Sequence, residues 1–407
     1  MKALVVAGGI PQIELIRQLK GRNIYTVLAD GSANAVAKSY ADEFYQVDIF
    51  DIDAVTNIAK NEEVDFVITV CADQVLLVVA EVSERLGLPC YIDAETARDV
   101  SDKIRMKKIF KKHGVPTSEY VETTYFDLHA ISHLKYPLVV KPVDAYSSKG
   151  VRKAYNEIEL EAFYDEASQL SRSGRVIVEE FFQGDEISVD AFVVNGKAKV
   201  LAVTNSDKIK EDNRFIIFRG RYPASITETV LKKINDIAQK IADGFGLVNA
   251  PLLIQLLLNE ENVSVLEFCA RTGGNMKWLL IKHSCGVDVI TATIDITLGV
   301  KPDLTLVDTG HKIVVNDFIY CNEGIFDHFE GIDEMVEKGI INEFYQVRLK
   351  GTQMQRATSS SDRIAGINII ADSVEDFNQK QNRIAQSIRV LDNKGKDIMR
   401  RDLFTDL

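Results

Sequence analysis

The chain is short of positive charge, of paired cysteines and of long apolar runs, and each shortage removes a class of function. Its 48 lysines and arginines stand against 60 acidic residues, a formal charge of -12. That balance repels a phosphate backbone, and no Lys/Arg run is interleaved with aromatics as a nucleic-acid groove requires, so no nucleic-acid partner is expected. The five cysteines, Cys71, Cys90, Cys269, Cys285 and Cys321, lie far apart and form no CxxC pair. This argues against a zinc knuckle or a disulfide framework and fits a reducing cytoplasm. Apolar runs such as Phe66 to Val70 and Leu252 to Leu258 fall well below the roughly 20 residues needed to span a bilayer, so no membrane association is expected. Met1 and Lys2 lead straight into Ala3 to Ala7 with no recognisable export leader. The six histidines accompany neither a GxSxG nor a HExxH motif, so nothing points to a covalent nucleophile or a zinc protease.

What is present is a globular composition, 46% hydrophobic and 27% charged over 407 residues, enough for two or three packed domains. The first hundred residues alternate β-branched runs (Ala3 to Ala7, Tyr25 to Ala29, Phe66 to Val70) with amphipathic stretches (Ile13 to Leu19, Ile52 to Ala59). That pattern predicts a parallel sheet with crossover helices. The turn AGGIPQIE holds Gly8 and Gly9 in an incomplete GxGxxG, readable as a tight βα turn of a Rossmann-like domain or as a dinucleotide site, and Asp30 ends the second strand. A Lys-rich helix from Asp102 to Lys112 stops at Gly114, before Pro116, and a new domain starts there.

Farther on the pattern becomes mixed α+β. Asn195-Gly196 favours a two-residue type I′ hairpin. Thr229 to Phe245 reads as an amphipathic helix, and Leu252 to Leu258 with Val263 to Phe268 as a hairpin. Strands resume beyond about Val300, and Val374 to Val390 reads as a helix before the turn Asp392 to Gly395. There is no internal repeat.

Three runs carry chemistry. In YPLVVKPVDAYSSKGV, Lys141 ends a buried strand and a loop of small residues follows. An ammonium there can hold phosphate oxygens under the loop, or sit as a solvated edge charge. In RVIVEEFFQGDEISVDAFV, backbone groups from Glu179 to Phe182 can pair with a purine rim while Glu186 accepts from ribose hydroxyls; a solvated strand-turn-strand is the plain alternative. In SVLEFCARTGGN, Glu267 alternates with Leu266 and Phe268 and so faces away from them, with Gln255 in a similar setting on the hairpin partner. Two oxygen donors on facing strands suit Mg²⁺, which takes few protein ligands. A carboxylate in so apolar a strand is costly unless used. Arg271 follows, its planar fork suited to a phosphoryl group or a carboxylate.

In this order and spacing the three runs resemble the ATP-grasp superfamily, in the branch of biotin carboxylase, the carbamoyl phosphate synthetase large subunit and the L-amino acid ligases. The resemblance covers essentially the whole chain. It implies a Rossmann-like pre-ATP-grasp domain (1–99), an ATP-grasp domain (100–300) with a lid at about 117–183, and a small C-terminal α+β region (301–407). The segment SDKIRMKKIFKKHGVPTSEY is similar to the helix and GVP entry that precede the lid. By resemblance, Lys103 and Lys141 bind phosphate, with Ser147 and Ser148 in the phosphate loop. Glu179, Glu180 and Phe182 form the adenine hinge, Glu186 meets the ribose, Gln255 and Glu267 hold the metal, and Arg271 clamps the phosphate or the intermediate. The implied cofactors are ATP and Mg²⁺, with Mn²⁺ as the alternative ion. The implied reaction turns a small-molecule carboxylate into an acyl phosphate and passes it to an amine. A bicarbonate-using or carbamoyl phosphate synthetase-like enzyme, and a decayed nucleotide sensor, are the alternatives. A homodimer is expected from frequency alone.

Two features depart from the family pattern: DAYSSKG holds a single glycine, and Cys269 stands where Asn is common after the metal Glu. A thiol is a poor Mg²⁺ ligand. Trp278 reads as core or pocket wall, and Arg214, Arg219 and Arg221 as a solvated loop or a greeting for an acidic substrate.

Overall fold

A computed structural model describes residues 1–145, 149–209, 215–274 and 276–407. The chain opens with a four-stranded parallel sheet, in spatial order Glu43–Gln46, Tyr25–Asp30, Lys2–Val6, Phe66–Ile68. Helices Ile10–Gly21 and Ile52–Asn61 lie in its crossovers, and helix Leu76–Leu86 follows its last strand. Successive side chains of a strand point to opposite faces, and here the two faces meet different partners. Leu4, Val6, Val27 and Val67 pack with Val55, Val79 and Val82 inside the first domain. Ala3, Val5, Leu28 and Phe66 join Trp278, Leu280 and Ile290 from much later in the chain. The first domain is thus fused to the rest along one face.

Helix Lys103–His113 leads into a smaller antiparallel sheet, ordered Tyr120–Thr123, Val176–Glu180, Leu138–Pro142, Arg152–Ala154. Helix Glu157–Leu170 covers it, and Leu138, Val140, Leu160, Tyr164 and Val178 form a separate core.

The largest element is an eight-stranded sheet, ordered Asn262–Cys269, Ala250–Asn259, Asp185–Val194, Lys197–Ile209, Ile216–Tyr222, Ile313–Ile319, Ala365–Ala371, Glu343–Gln346. Strand Asp185–Val194 is covered on both faces: Ile187, Val189, Ala191 and Val193 meet helix Glu228–Gly244, whereas Phe192 joins the core shared with the first domain. The helix offers Val230, Ile234, Ile237, Ala238 and Ile241 at helical spacing and is capped by Thr227, whose hydroxyl accepts from Val230 N. The sheet runs without interruption from hinge-side strands to strands beyond residue 300.

The Asn195-Gly196 hairpin has positive φ at both residues (49° and 74°), as a type I′ turn requires. The expected helix from Val374 to Val390 ends instead at Ser387, and Arg389–Asp392 pairs with Gly324–Glu330. Ile388 and Val390 are fully buried at period two, so strand burial overrides the helical pattern there.

Candidate active site

The lid sheet and the large sheet enclose a cavity of about 960 Å³. Its lysine-lined end is built on one helix start. Asp102 caps helix Lys103–His113, accepting from Ile104 N at 2.9 Å and Arg105 N at 3.0 Å, which sets Lys103 at the first helical position. Lys103 Nζ donates to Ala145 O at 2.7 Å and lies 3.4 Å from Glu267 Oε2. One turn on, Lys107 projects on the same side. It is 1% exposed, donates to Thr117 Oγ1 at 2.7 Å and sits 3.2 Å from Glu179 Oε2. From the lid strand Leu138–Pro142, Lys141 Nζ reaches Glu179 Oε1 at 2.8 Å. Glu179, 2% exposed, therefore bridges two ammonium groups. Burial alone would raise its carboxyl, but Lys107 and Lys141 outweigh it and hold the group below its ordinary value. Burial lowers Lys107.

The sequence reading overlooked Lys107. Among the basic residues of KIRMKKIFKKH only its i, i+4 offset from Lys103 sets it apart.

At the other end the chain leaves the lid as the segment Glu180 to Phe182. Glu180 N donates to Glu119 O and Phe181 N to Pro137 O, each at 3.0 Å, and Glu180 Oε1 accepts from Lys135 N at 3.0 Å. Among the described residues the Phe182 amide has no protein acceptor and lines the cavity, as an adenine rim requires. Glu179 belongs to the hinge by sequence, but its side chain serves the lysines. Phe181 stacks on Phe215 at 6.5 Å, and Lys153 Nζ lies 3.5 Å above its ring. The chain then turns at Gly184, where a Cβ would come within 2.6 Å of Leu258 O, so only glycine fits against that strand. Glu186 follows on Asp185–Val194, with Oε2 2.6 Å from Lys208 Nζ and Oε1 accepting from Gln255 Nε2 at 3.1 Å.

Gln255 and Glu267 are direct partners across the hairpin. Strict alternation would set Leu266 and Glu267 on opposite faces, but the register shifts beside Gln255 and both line the cavity. A bulge of this kind re-aims a side chain next to a site. Glu267 keeps a side-chain exposure of 33% and is open to a ligand. Its carboxylate and the Gln255 amide oxygen are hard donors that fit Mg²⁺. Cys269 does not compete: its thiol bonds to Asp73 and burial holds it well above its usual value, so it is a neutral thiol.

Arg271 stands apart. Its guanidinium pairs with both oxygens of Asp73 and donates to Thr272 O at 2.8 Å, and it lines neither cavity of this region. Burial works against the charge, but Asp73 raises it above its ordinary value. The phosphoryl clamp expected from sequence is here a buried tie between the first domain and the strand loop. Trp278 is core, packed on Tyr345. Arg219 and Arg221 lie on strand Ile216–Tyr222, not in a loop, and are neutralised by Asp317 at 2.6 Å and Asp207 at 3.3 Å. Ser147, Ser148 and Arg214 lie outside the described residues. The glycine turn of the first domain is filled from within, since Asp30 accepts from Gly8 N at 2.6 Å and Ser32 N at 2.7 Å.

A lid sheet folded over an antiparallel sheet, with two lysines, an exposed amide and facing oxygen donors between them, is the ATP-grasp arrangement. The ATP-grasp domain family matches residues 134–278, so this stretch of the chain carries an ATP-grasp domain. The chain is similar to the formate-dependent phosphoribosylglycinamide formyltransferase of Sulfurisphaera tokodaii, 24% identical over 96% of this chain and 97% of the relative. Among solved structures it resembles the L-amino acid ligase of Bacillus licheniformis (TM-score 0.79, 19% identity, 96% and 98% of the two chains). It also resembles the biotin carboxylase domain of Hydrogenobacter thermophilus 2-oxoglutarate carboxylase, solved with MgADP, ADP and bicarbonate (TM-score 0.79, 16% identity, 99% and 92%). Among the described residues no helix is long and apolar enough to cross a membrane.

Proposed function

We propose that the protein is an ATP- and Mg²⁺-dependent ligase that activates a small-molecule carboxylate as an acyl phosphate and transfers the acyl group to an amine. The observation that carries this reading is the placement of Lys103, Lys141, Gln255 and Glu267 around one end of a cavity whose other end offers the Phe182 amide and Glu186. In this reading the Phe182 amide and the Glu180 carbonyl hold the adenine and Glu186 the ribose. Lys103 and Lys141 neutralise the charge that spreads over the transferred phosphoryl group. A carboxylate oxygen bonds to the γ-phosphorus as the bridging bond to ADP breaks; the amine then adds to the carbonyl and phosphate leaves. Gln255 and Glu267 would hold Mg²⁺, which supplies further charge neutralisation at the phosphates. Arg271 acts as a positioning residue for the loop from Thr272 to Gly274. The division at residues 1–99, 100–300 and 301–407, the last of which extends the same large sheet, a homodimer and a cytoplasmic setting belong to the same proposal.

The test is thermal unfolding with ATP and Mg²⁺ against ATP with a chelator. A ligand that binds only the folded state stabilises it by about 2.7 kcal/mol at a hundred times its Kd, so a clear Mg²⁺-dependent rise is expected, and no shift with any nucleotide would sink the reading. Release of ADP with carboxylate and amine pairs then separates a ligase from a decayed sensor. The bicarbonate reading has one observation in its favour, the fold shared with the bicarbonate-bound carboxylase domain; ADP release with bicarbonate in place of an organic acid would select it.

Lys141→Ala should weaken nucleotide binding by roughly 10- to 100-fold, the loss of one charge-assisted contact, measured by titration calorimetry. Glu179 keeps Lys107 at 3.2 Å, so the fold survives. An unchanged affinity would remove Lys141 from the site.

A further inference from the structure

A second cavity, of about 190 Å³, opens on the far side of Lys103. It shares Lys103, Ala145 and Glu267 with the larger one, so the two meet where the terminal phosphate of ATP falls in the proposed function. Its remaining wall is mostly apolar. Phe50 and Ile52 come from the start of helix Ile52–Asn61, Leu76, Leu77 and Val78 from helix Leu76–Leu86, and Phe268 from strand Asn262–Cys269. The volume corresponds to roughly six waters of liquid, enough for a small organic acid.

The charged groups around it are committed. Asp73 is paired with Arg271. Asp144 accepts from Ser171 Oγ at 2.9 Å, Arg172 N at 3.1 Å and Ser173 N at 2.9 Å. Arg172 lies 5.0 Å from the centre of the Phe50 ring and donates to Asp144 O at 3.3 Å. This contact joins the lid to the first domain across the cavity. Lys103 and Glu267, at the border with the nucleotide, are the polar end. The first domain's glycine turn offers no alternative seat for a phosphate, because the Asp30 carboxylate already occupies the Gly8 and Ser32 amides.

We propose that this smaller cavity holds the carboxylate to be activated, and that it selects a carboxylic acid with a branched or aromatic apolar body over polar or phosphorylated ones. The carboxylate end lies toward Lys103, and the body lies against Phe50, Ile52, Leu76 and Leu77. The inference rests on the ligase reading and adds to it the substrate class. In an apolar pocket one methylene changes discrimination by roughly 10- to 200-fold, so the preference is measurable.

The test uses the full chain with MgATP, its binding first established by the melting-point rise. Hydroxylamine stands in for the amine and traps any acyl phosphate as a hydroxamate, which makes the assay independent of the natural acceptor. Isovalerate, leucine and phenylalanine are compared with glycine, glutamate and phosphoribosylglycinamide formation from phosphoribosylamine and glycine. The expected result is hydroxamate from the apolar acids at least about 10-fold faster than from glycine or glutamate. Leu77→Phe should shift the preference toward smaller acids, and Phe50→Ala should relax it, with the nucleotide-induced melting-point rise retained in both. A shift in preference is something a merely unfolded variant cannot produce. Equal or better rates with glutamate or the phosphoribosyl substrate, or no hydroxamate from any apolar acid while MgATP still binds, would overturn the substrate class and leave the nucleotide site standing. No nucleotide-induced rise would remove the ligase reading and this inference with it.

Discussion

Glu267→Gln should lower ATP turnover by about 10³-fold or more, roughly 4 kcal/mol of transition-state stabilisation, while leaving the fold intact. The two halves of this expectation come from different facts. Glu267 is one-third exposed, and its described ion-pair partner is Lys103 at 3.4 Å, so a neutral amide of the same shape costs little stability. The carboxylate is nevertheless the charged member of the only in-register pair of oxygen donors described at the phosphate end, and Gln255 alone is a neutral ligand. Measured ADP release across a Mg²⁺ titration should fall at every concentration, with the melting point of the free protein within a few degrees of the parent. Turnover within a few-fold of the parent would take the metal role away from Glu267.

Glu179→Gln should do the reverse and strike the fold. Its carboxylate is buried between Lys107 and Lys141, at 3.2 and 2.8 Å. Removing one partner from a buried ionic group leaves uncompensated charge, at a cost of about 3–5 kcal/mol. Urea denaturation should register that loss, and Lys107→Met combined with Glu179→Gln should recover part of it, because one stranded ammonium is then gone. The acid limb provides a second check. Lys107 and Lys141 hold Glu179 below its ordinary value of 4.5, so its contribution is complete above that value and disappears as pH falls through the lower folded value. Parent and Glu179→Gln should therefore converge in stability as pH falls through that lower folded value. A variant as stable as the parent at pH 7 would mean that the bridge contributes nothing net.

Much of this architecture was legible because it is written in short periods. The parallel sheet, the Asn195-Gly196 hairpin and the helix Glu228–Gly244 all follow from patterns of two or nearly four residues. Of the residues singled out in the sequence, Lys103, Lys141, Phe182, Glu186, Gln255 and Glu267 do converge on one cavity. What escaped was set by pairing over long distances. Arg271 looks free in sequence, and its partner Asp73 is 198 residues away. Lys107 is one base among many until Glu179 arrives from the lid. The final helix looked longer than it is because Val390 satisfies a helical spacing and a strand spacing alike, and the partner strand Gly324–Glu330 decides between them.

The lid and the first domain differ in how separable they are. The lid draws its core from its own residues between Val121 and Val178, and is in that sense a cassette. The first domain is not: half of its sheet packs into a core with Trp278 and Ile290, and Asp73 is tied to Arg271. A transplanted lid must therefore keep its few ties to helix Lys103–His113, Glu179 to Lys107 and Arg175 to Asp102, whereas a first domain transplanted alone carries an unmatched apolar face and a carboxylate without its arginine. The first domain and the segment that carries Arg271, Trp278 and Ile290 are in packing terms one unit.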